Sequence, residues 1–392
     1  MVNRRTLRIK AVKALYAYSS CKQANYQVAR EQLNEKFSVN SNWLADFSAQ
    51  ELETKKAAAA QCLDKHFEGE AIEKQADLLP EIKAEALNAV RSYKEQNAKD
   101  LKRQRHAMLE ELESTEDSHL RVLDLIIELA NINKSLFDEK KSLSDILGAE
   151  MNDIPYFYEN KVIRKLAACK EITERKLRKG ISWSTEEDKL VDWYKKIIFK
   201  YEPFVAYRST TSHTYDEDWI ILDDIVRNVI FKNDSINGFF EELDYNWEEN
   251  KTIIRSLVLK TLKSVKNSSD ELTVAEFSYN WEEDRAYLEI LFDKSIEEDT
   301  YFEGLIEKKS LNWNIERIAQ IDIIVIKSAI AEMIHFPSIP VKVTINEFIE
   351  ITKVYSTPKS KKFVNGLLDV IASELQKEGV VKKSGRGLID NK

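Results

Sequence analysis

Residues that interrupt helices are rare in this chain. Only 9 glycines and 6 prolines occur among its 392 residues, while 32% of the residues are charged. Sheets and loops need frequent glycine and proline, whereas helices can run for long stretches without either. The sequence therefore predicts an all-α protein, long enough for two or three domains.

Several classes of protein are disfavoured by the same sequence. The best candidate for a membrane span, Ile318 to Ile334, is interrupted by Asp322, Lys327 and Glu332, so we expect no membrane-spanning helix. The basic N-terminus is not followed by an uninterrupted apolar core, which argues against a secretory signal. The three cysteines are far apart and unpatterned, which predicts reduced thiols in a cytoplasmic protein and no metal cage.

No catalytic constellation stands out in the sequence. The five histidines are scattered, no glycine-rich phosphate loop follows a strand, and the carboxylates fall on predicted solvent-facing helix surfaces. His335 directly precedes a helix-breaking segment and is better explained as a structural residue than as a metal ligand. We therefore expect no enzyme, no cofactor and no bound metal.

Two stretches of the chain resemble each other. Residues 216–247 align without gaps on residues 282–313, with 8 identities in 32 positions. The identities include Gly238 with Gly304 and a terminal Asn-Trp pair. Shared amphipathic periodicity alone would not repeat the glycine and the Asn-Trp pair at one spacing. We interpret the stretches as a duplication, each copy being a long helix, a turn that holds the glycine, and a tryptophan that opens the next helix.

Charge is distributed unevenly along the chain, whose net charge is −8. Residues 1–20 carry five bases and no acid, residues 212–300 have a net charge of −13, and residues 311–392 a net charge of +3. Two basic ends around an acidic middle suggest that a polyanion contacts both ends together. A drift of charge along the surface explains the composition about equally well.

The bases near the N-terminus fall on a predicted helix. Asn3 is suited to cap a helix over about Arg4–Ser19, and apolar residues on two of its sides predict a central place in a bundle. Arg4, Arg5 and Arg8 occupy its first two turns, where positive charge opposes the helix macrodipole unless an anion is bound. The arginines form a candidate phosphate-binding cluster, and a solvated helix terminus is the alternative.

A second group of bases follows Thr357-Pro358, which predicts another helix start. Lys359, Lys361 and Lys362 oppose the dipole of that helix, each at a cost of roughly 0.3–1 kcal/mol unless a phosphate chain lies above them. Phe363 either stacks on a base, which contributes ~1–3 kcal/mol, or packs in the core. If it stacks, Phe363→Ala weakens RNA binding and leaves thermal stability nearly unchanged.

Two further patterns in this region predict local packing. Residues Thr344 to Glu347 match a capping box, which predicts that a helix begins at Thr344 and runs to about Tyr355. Gly366 lies in the middle of the last helix, where it costs about 1 kcal/mol relative to alanine. Such a glycine predicts another backbone packed closely against it.

Two segments carry a family resemblance. The first is Arg4-Arg5-x-x-Arg8-x-x-Ala11-x-x-x-Leu15-Tyr16. The second contains Glu316-Arg317-Ile318, the helix from Ile321 to Met333, Ile339-Pro340-x-Lys342-Val343-x-Ile345-Asn346-Glu347 and Phe363-Val364-Asn365-Gly366-Leu367-Leu368-Asp369. Together they resemble the NusB family of transcription antitermination factors, most closely its enlarged form in Bacteroidetes-type bacteria. The likeness to compact members covers about residues 4–19 and 282–372, and the long middle corresponds to the extra helices of the enlarged form.

The resemblance implies an all-helical RNA-binding protein. NusB proteins bind boxA-type leader RNA together with NusE, a small-subunit ribosomal protein, and the complex joins the RNA polymerase elongation complex and suppresses termination. Carried over by motif, the RNA-binding residues are Arg4, Arg5, Arg8, Lys359, Ser360, Lys361, Lys362 and Phe363, with Asn365 as a further candidate. Compact members often have an acid where this chain has Lys359, which puts RNA affinity or its regulation in doubt.

These observations predict a division of the chain and a way to test it. We assign residues 1–20 to an arginine-rich first helix of the core bundle, 21–211 to an additional helical region, 212–281 to a repeat or scaffold, 282–378 to a NusB-like bundle, and 379–392 to a flexible tail. RNA binding requires the arginine and lysine groups to share one surface. If they face opposite sides, a helical interaction scaffold without RNA binding is favoured. An RNA-modifying enzyme is disfavoured, because no cofactor-binding βαβ pattern follows residue 372.

Overall fold

The computed structural model describes residues 2–37, 48–75, 78–147, 154–309 and 318–389. Throughout these ranges the regular secondary structure is helical, which confirms the all-α prediction. The helices are α1 (Arg4–Lys36), α2 (Ala49–Phe67), α3 (Pro80–Leu147), α4 (Tyr156–Glu159), α5 (Lys161–Ala167), α6 (Lys170–Arg178), α7 (Glu187–Trp193), α8 (Glu202–Arg208), α9 (Tyr215–Ile225), α10 (Asp234–Leu243), α11 (Trp247–Lys263), α12 (Trp281–Glu297), α13 (Asp299–Lys309), α14 (Gln320–His335), α15 (Val341–Tyr355) and α16 (Ser360–Lys377). None of these helices is apolar over enough of its length to cross a membrane.

The helices divide into two compact units. The first unit comprises residues 2–3 and Glu110–Trp281, and the second comprises Arg4–Leu109 and the described residues from Glu282 onward. This division differs from the predicted one, because residues 21–109 belong with the C-terminal bundle instead of with a separate helical region. The boundary between residues 281 and 282 is common to both divisions.

The first unit has its own apolar core, built from the second half of α3 and from α4 to α11. Trp247 is fully buried there, stacks on Phe240 with the ring centroids 4.3 Å apart, and donates its Nε1 proton to Asn237 Oδ1 over 3.1 Å. The segment from Pro155 to Lys179 forms three short helices, α4, α5 and α6. One break occurs at Asn160, whose side chain caps α5 by accepting from two backbone N–H groups.

The second unit is centred on α14, whose residues Val325, Ile326, Ala329 and Ile330 are fully buried. Helix α14 contacts α1, α13, α15 and α16. The predicted central place of the first helix is confirmed, because apolar residues on both of its sides, among them Leu7 and Val12, are buried. The helix also extends to Lys36, well beyond its predicted end. Its C-terminal part packs with α2 and the start of α3 around a separate small apolar cluster.

The helix boundaries of the two similar stretches repeat at nearly the spacing of the aligned residues. Helix α9 begins at Tyr215 and α12 at Trp281, 66 residues later, while α10 begins at Asp234 and α13 at Asp299, 65 residues later. The prediction of a turn at the shared glycine is wrong, since both glycines lie inside helices, in α10 and α13. The second tryptophan, Trp313, lies outside the described residues.

The C-terminal segment does not form the predicted flexible tail as far as it is described, to Ile389. Gly379 has a φ of +70°, which lets the chain turn back after α16 so that the Val380 N–H donates to Leu375 O over 2.9 Å. Val381 is buried, and the Ser384 N–H donates to Pro337 O over 3.0 Å. The segment is therefore docked on the loop between α14 and α15.

Candidate nucleic-acid interface

Arg8 is not part of an exposed basic cluster. Its side chain is 3% exposed and forms a paired hydrogen bond to Glu332 of α14, from Nε over 2.7 Å and from Nη2 over 2.9 Å. Burial alone would lower the pKa of Arg8, but the hydrogen bonds and charge of Glu332 more than offset this and leave the pKa above its ordinary value. The expectation that Arg8 projects outward is therefore wrong, because its partner lies in the core.

Glu332 is the centre of a buried polar network. It is fully buried in α14 and accepts hydrogen bonds from Arg8, from Tyr287 Oη and from Thr344 Oγ1, the last over 2.6 Å. Burial, followed by the neighbouring carboxylate, raises the pKa of Tyr287 well above its ordinary value. The network supplies several hydrogen bonds to one buried carboxylate, which is the condition for a buried charge to be tolerated.

The predicted capping box between Thr344 and Glu347 does not form at the start of α15. Both side chains instead contact residues of other helices. The helix begins at Val341, one turn before Thr344, with Pro340 at the N-cap. Thr344 therefore turns inward to Glu332. Glu347 instead accepts two 2.8 Å hydrogen bonds from Arg5, at Nε and Nη2. These bonds are the main reason that the pKa of Glu347 is lowered.

Arg4 and Arg5 keep access to solvent. The Arg5 side chain is 50% exposed, and that of Arg4 is 34% exposed. Arg4 pairs with Glu283 over 2.5 Å and lies over the Tyr287 ring, 4.3 Å from its centroid. Exposed ion pairs of this kind contribute about 0–1 kcal/mol to stability. A phosphate can therefore replace Glu283 as the partner of Arg4, or Glu347 as the partner of Arg5, at little cost in free energy.

The lysines at the start of α16 are all exposed. Lys359, Lys361 and Lys362 make no ion pair at contact distance with any residue that the structure describes. Helix α16 begins at Ser360, and the preceding Thr357-Pro358 forms a turn instead of the first helical residues. The positive charges therefore stand at a helix N-terminus, where the macrodipole favours an anion.

The three other predicted site residues on α16 are less accessible. Ser360 is 7% exposed and its hydroxyl contacts those of Ser356 and Thr357, so it shapes the turn. Phe363 is 8% exposed, which matches the core alternative and leaves no open ring face for stacking in this conformation. Asn365 is half-buried and donates to Asp369 over 3.1 Å.

Gly366 does not mark a close backbone contact. It is exposed, and a Cβ added there would meet nothing within 4 Å. The prediction that another backbone packs against it is wrong. Nothing in the surrounding packing requires a glycine at this position.

The arginine and lysine groups adjoin through α15, which contacts both α1 and α16. Glu350 lies three residues beyond the Arg5 partner on that helix. The pKa of Glu350 is lowered, first by a hydrogen bond from Lys353 and then by nearby positive charges. Besides Lys353, these charges belong to Arg5 on α1 and to Lys361 on α16. Two bases from opposite ends of the chain thus lie within electrostatic reach of one carboxylate.

Comparison with known proteins finds a match for the part of the chain that carries the lysine group. Residues 252–373 match a family model described as the NusB family. The chain carries a NusB family domain. This confirms the family resemblance of the second, C-terminal segment found in the sequence. No solved structure matches the chain.

Three curated relatives carry the name transcription antitermination protein NusB. The protein of Chloroherpeton thalassium is 53% identical over 85 residues, which are 22% of this chain and 40% of that protein. The Salinibacter ruber protein is 46% identical over 96 residues, 24% of this chain and 58% of its own length. The Natranaerobius thermophilus protein is 43% identical over 72 residues, 18% of this chain and 52% of its own length. The chain thus spans about half the length of the relatives it matches.

The NusB match contains only part of the candidate interface. The α16 lysines, Glu332 and Glu347 fall within residues 252–373, whereas Arg4, Arg5 and Arg8 lie nearly 250 residues before it. The supporting residues Tyr287, Glu332 and Glu347 were not assigned to the site from sequence. A charged residue inside the apolar run of α14 was the one available signal for Glu332. Among the described residues, no group of His, Cys, Asp or Glu side chains is arranged to hold a metal ion.

Proposed function

We propose that the chain is an RNA-binding transcription antitermination factor. It binds boxA-type leader RNA together with NusE and joins the RNA polymerase elongation complex to support processive synthesis of ribosomal RNA. The observation that carries the proposal is that α15 contacts both α1, whose first turns hold the arginines, and α16, which the lysines precede and begin. The NusB match over residues 252–373 and the printed names of the relatives support it.

The proposed binding surface consists of the exposed bases. Lys359, Lys361 and Lys362 contact backbone phosphates directly, and Arg4 and Arg5 exchange their carboxylate partners for phosphates. Such contacts release counterions and make affinity depend on salt. Arg8, Ser360 and Phe363 support this surface from beneath, through the Glu332 network and the packing of the first turn of α16.

Titration of a boxA-type RNA at several salt concentrations tests the proposal. With ~3–5 phosphate contacts and about 0.7 counterions released per contact, the slope of log affinity against log salt should be about −2 to −4. The titration is repeated with NusE, which should tighten binding. A slope near zero, with and without NusE, would instead favour a helical interaction scaffold with no RNA site.

A pair of triple variants assigns the surface. Lys359→Gln, Lys361→Gln and Lys362→Gln together should make the slope less negative by about 2, because three contacts are lost. The matched control is Lys94→Gln, Lys99→Gln and Lys102→Gln, which removes the same charge from exposed positions of α3 in the same unit. Equal effects of the two variants would show a general charge effect and would reject the α16 site.

A further inference from the structure

The described residues that follow α16, 380–389, are built against the loop between α14 and α15. Besides the backbone bond from Ser384 to Pro337, Lys383 Nζ donates to Phe336 O over 3.0 Å. Gly387 lies so close to this loop that an added Cβ would be 2.1 Å from Pro337 O. Only glycine fits this approach. Three neighbouring points of attachment give the segment a defined position.

The loop that receives the segment also supports Arg4. The ring of Phe336 lies 4.6 Å from that of Tyr287, centroid to centroid, and Tyr287 also lies beneath the Arg4 guanidinium and donates a hydrogen bond to the buried Glu332. The charge of Glu332 also acts on Lys383. The segment is therefore attached beside the Arg4 end of the proposed RNA surface and within the same unit.

The described residues of the segment carry positive charge only, and Asp390 follows them in the sequence. Residues 380–389 contain Lys382, Lys383 and Arg386 and no acid. Lys383 is partly buried and holds the loop carbonyl, whereas Lys382 and Arg386 are exposed. The two exposed bases flank the attachment point, which leaves their charged ends available to a phosphate chain that reaches Arg4.

We propose that Lys382 and Arg386 extend the RNA interface, each contacting a backbone phosphate beyond those reached from α1 and α16. The contacts are to phosphates and carry no information about base sequence. Lys383 and Gly387 are positioning residues, because they hold the segment on the loop. This inference rests on the proposed RNA-binding function.

The test uses the full chain and the same RNA titration. Lys382→Gln with Arg386→Gln should make the salt slope less negative by about 1.4, since two contacts are lost. The control, Lys94→Gln with Lys99→Gln, removes equal charge from α3 and should leave the slope unchanged. A clearly negative wild-type slope that persists unchanged in the Lys382/Arg386 variant overturns this inference and leaves the proposed function intact. A wild-type slope near zero would overturn both this inference and the proposed RNA-binding function.

A second variant tests the docking itself. Gly387→Val keeps every charge but cannot approach Pro337, so RNA affinity at fixed salt should fall several-fold. Gly366→Ala, at an exposed site on α16 with open space around it, is the control and should bind as the wild type does. Unchanged affinity of the Gly387 variant would show that the segment need not be held in place, and would overturn the positioning roles of Lys383 and Gly387.

Discussion

The three arginines in the first two turns of α1 show how burial changes the role of one residue type over a short distance. Arg5 and Arg8 both form paired hydrogen bonds to a glutamate, yet their side chains are 50% and 3% exposed. An exposed pair exchanges readily with a phosphate, whereas a buried pair is fixed because separating it leaves an uncompensated charge in the core. Arg5 therefore belongs to the binding surface and Arg8 to the structure beneath it.

This difference predicts opposite effects of two similar substitutions. Arg8→Met should destabilise the second unit by about 3–5 kcal/mol, because Glu332 remains buried without its cation. Arg5→Met should cost only about 0–1 kcal/mol, because Glu347 can be solvated. Urea unfolding followed by circular dichroism measures both. Losses of equal size would contradict the structural role assigned to Arg8.

Lys383 predicts a specific dependence of stability on pH. Burial lowers its pKa to about 8, below the value of about 10.4 in an unfolded chain. Between these values the unfolded chain binds more protons than the folded one, so the stability contributed by this residue rises with pH from about 8 to about 10.4 and is level below 8. The unfolding temperature of the wild type should therefore rise relative to that of Lys383→Gln as the pH increases from about 8 to about 10.4.

The control for this measurement is Lys382→Gln, which removes an exposed neighbour. The two variants remove the same charge from neighbouring positions, so the measurement compares their pH profiles of unfolding temperature directly. Parallel profiles for the wild type and Lys383→Gln would show that Lys383 titrates as a solvated lysine.

Among the helices, α16 has exposed lysines and buried apolar residues side by side near its N-terminus. The exposed lysines face solvent, while Phe363, Val364 and Leu367 are buried. An aromatic residue next to three lysines suggests stacking on a base when the sequence is considered alone. Helical periodicity brings it instead to the side that packs against α14 and α15.

Phe363→Ala should therefore destabilise the protein. The cost is about 3 kcal/mol, the lower end for a large core residue replaced by alanine, because the side chain is nearly but not fully buried. This reverses the result expected from a stacking role. Thermal unfolding without RNA decides the matter. An unchanged unfolding temperature would show that Phe363 is not a core residue and would support the stacking interpretation.

Gly366, in the same helix, is a position where substitution should increase the stability of the protein. Alanine meets no atom there and is a better helix former, so Gly366→Ala should stabilise the protein by about 0.5–1 kcal/mol. The measurement is an upward shift of the urea midpoint with an unchanged slope. A loss of stability would mean that the added methyl group meets an unrecognised neighbour.

At the scale of the whole molecule, local patterns were readable in the sequence and distant pairings were not. Few glycines and prolines predicted helices, and the apolar pattern of the first helix predicted its central place in the bundle. The pairing of Arg8 with Glu332 joins residues 324 positions apart, and no pattern of residue spacing in the sequence predicts it. The same is true of the docking of Gly387 on Pro337, and of residues 21–109 joining the C-terminal unit.

The second unit is assembled from both ends of the chain, which predicts that its C-terminal part cannot fold alone. A fragment of residues 282–392 contains most of the NusB match but lacks α1, which packs on α14 and supplies Arg8 to Glu332. Without that helix, an apolar face of α14 is exposed and a buried carboxylate loses its cation. The fragment should show no cooperative thermal unfolding.

Adding a peptide of residues 4–36 to this fragment should restore part of the structure, because the peptide supplies the missing apolar face and the arginine together. The matched peptide with Arg8→Met keeps the apolar face and should restore clearly less. Circular dichroism and sedimentation measure helix content and association in each mixture. Cooperative unfolding of the fragment by itself would show that α1 is an accessory to the bundle, and would separate the arginines from the stability of the surface they are proposed to form.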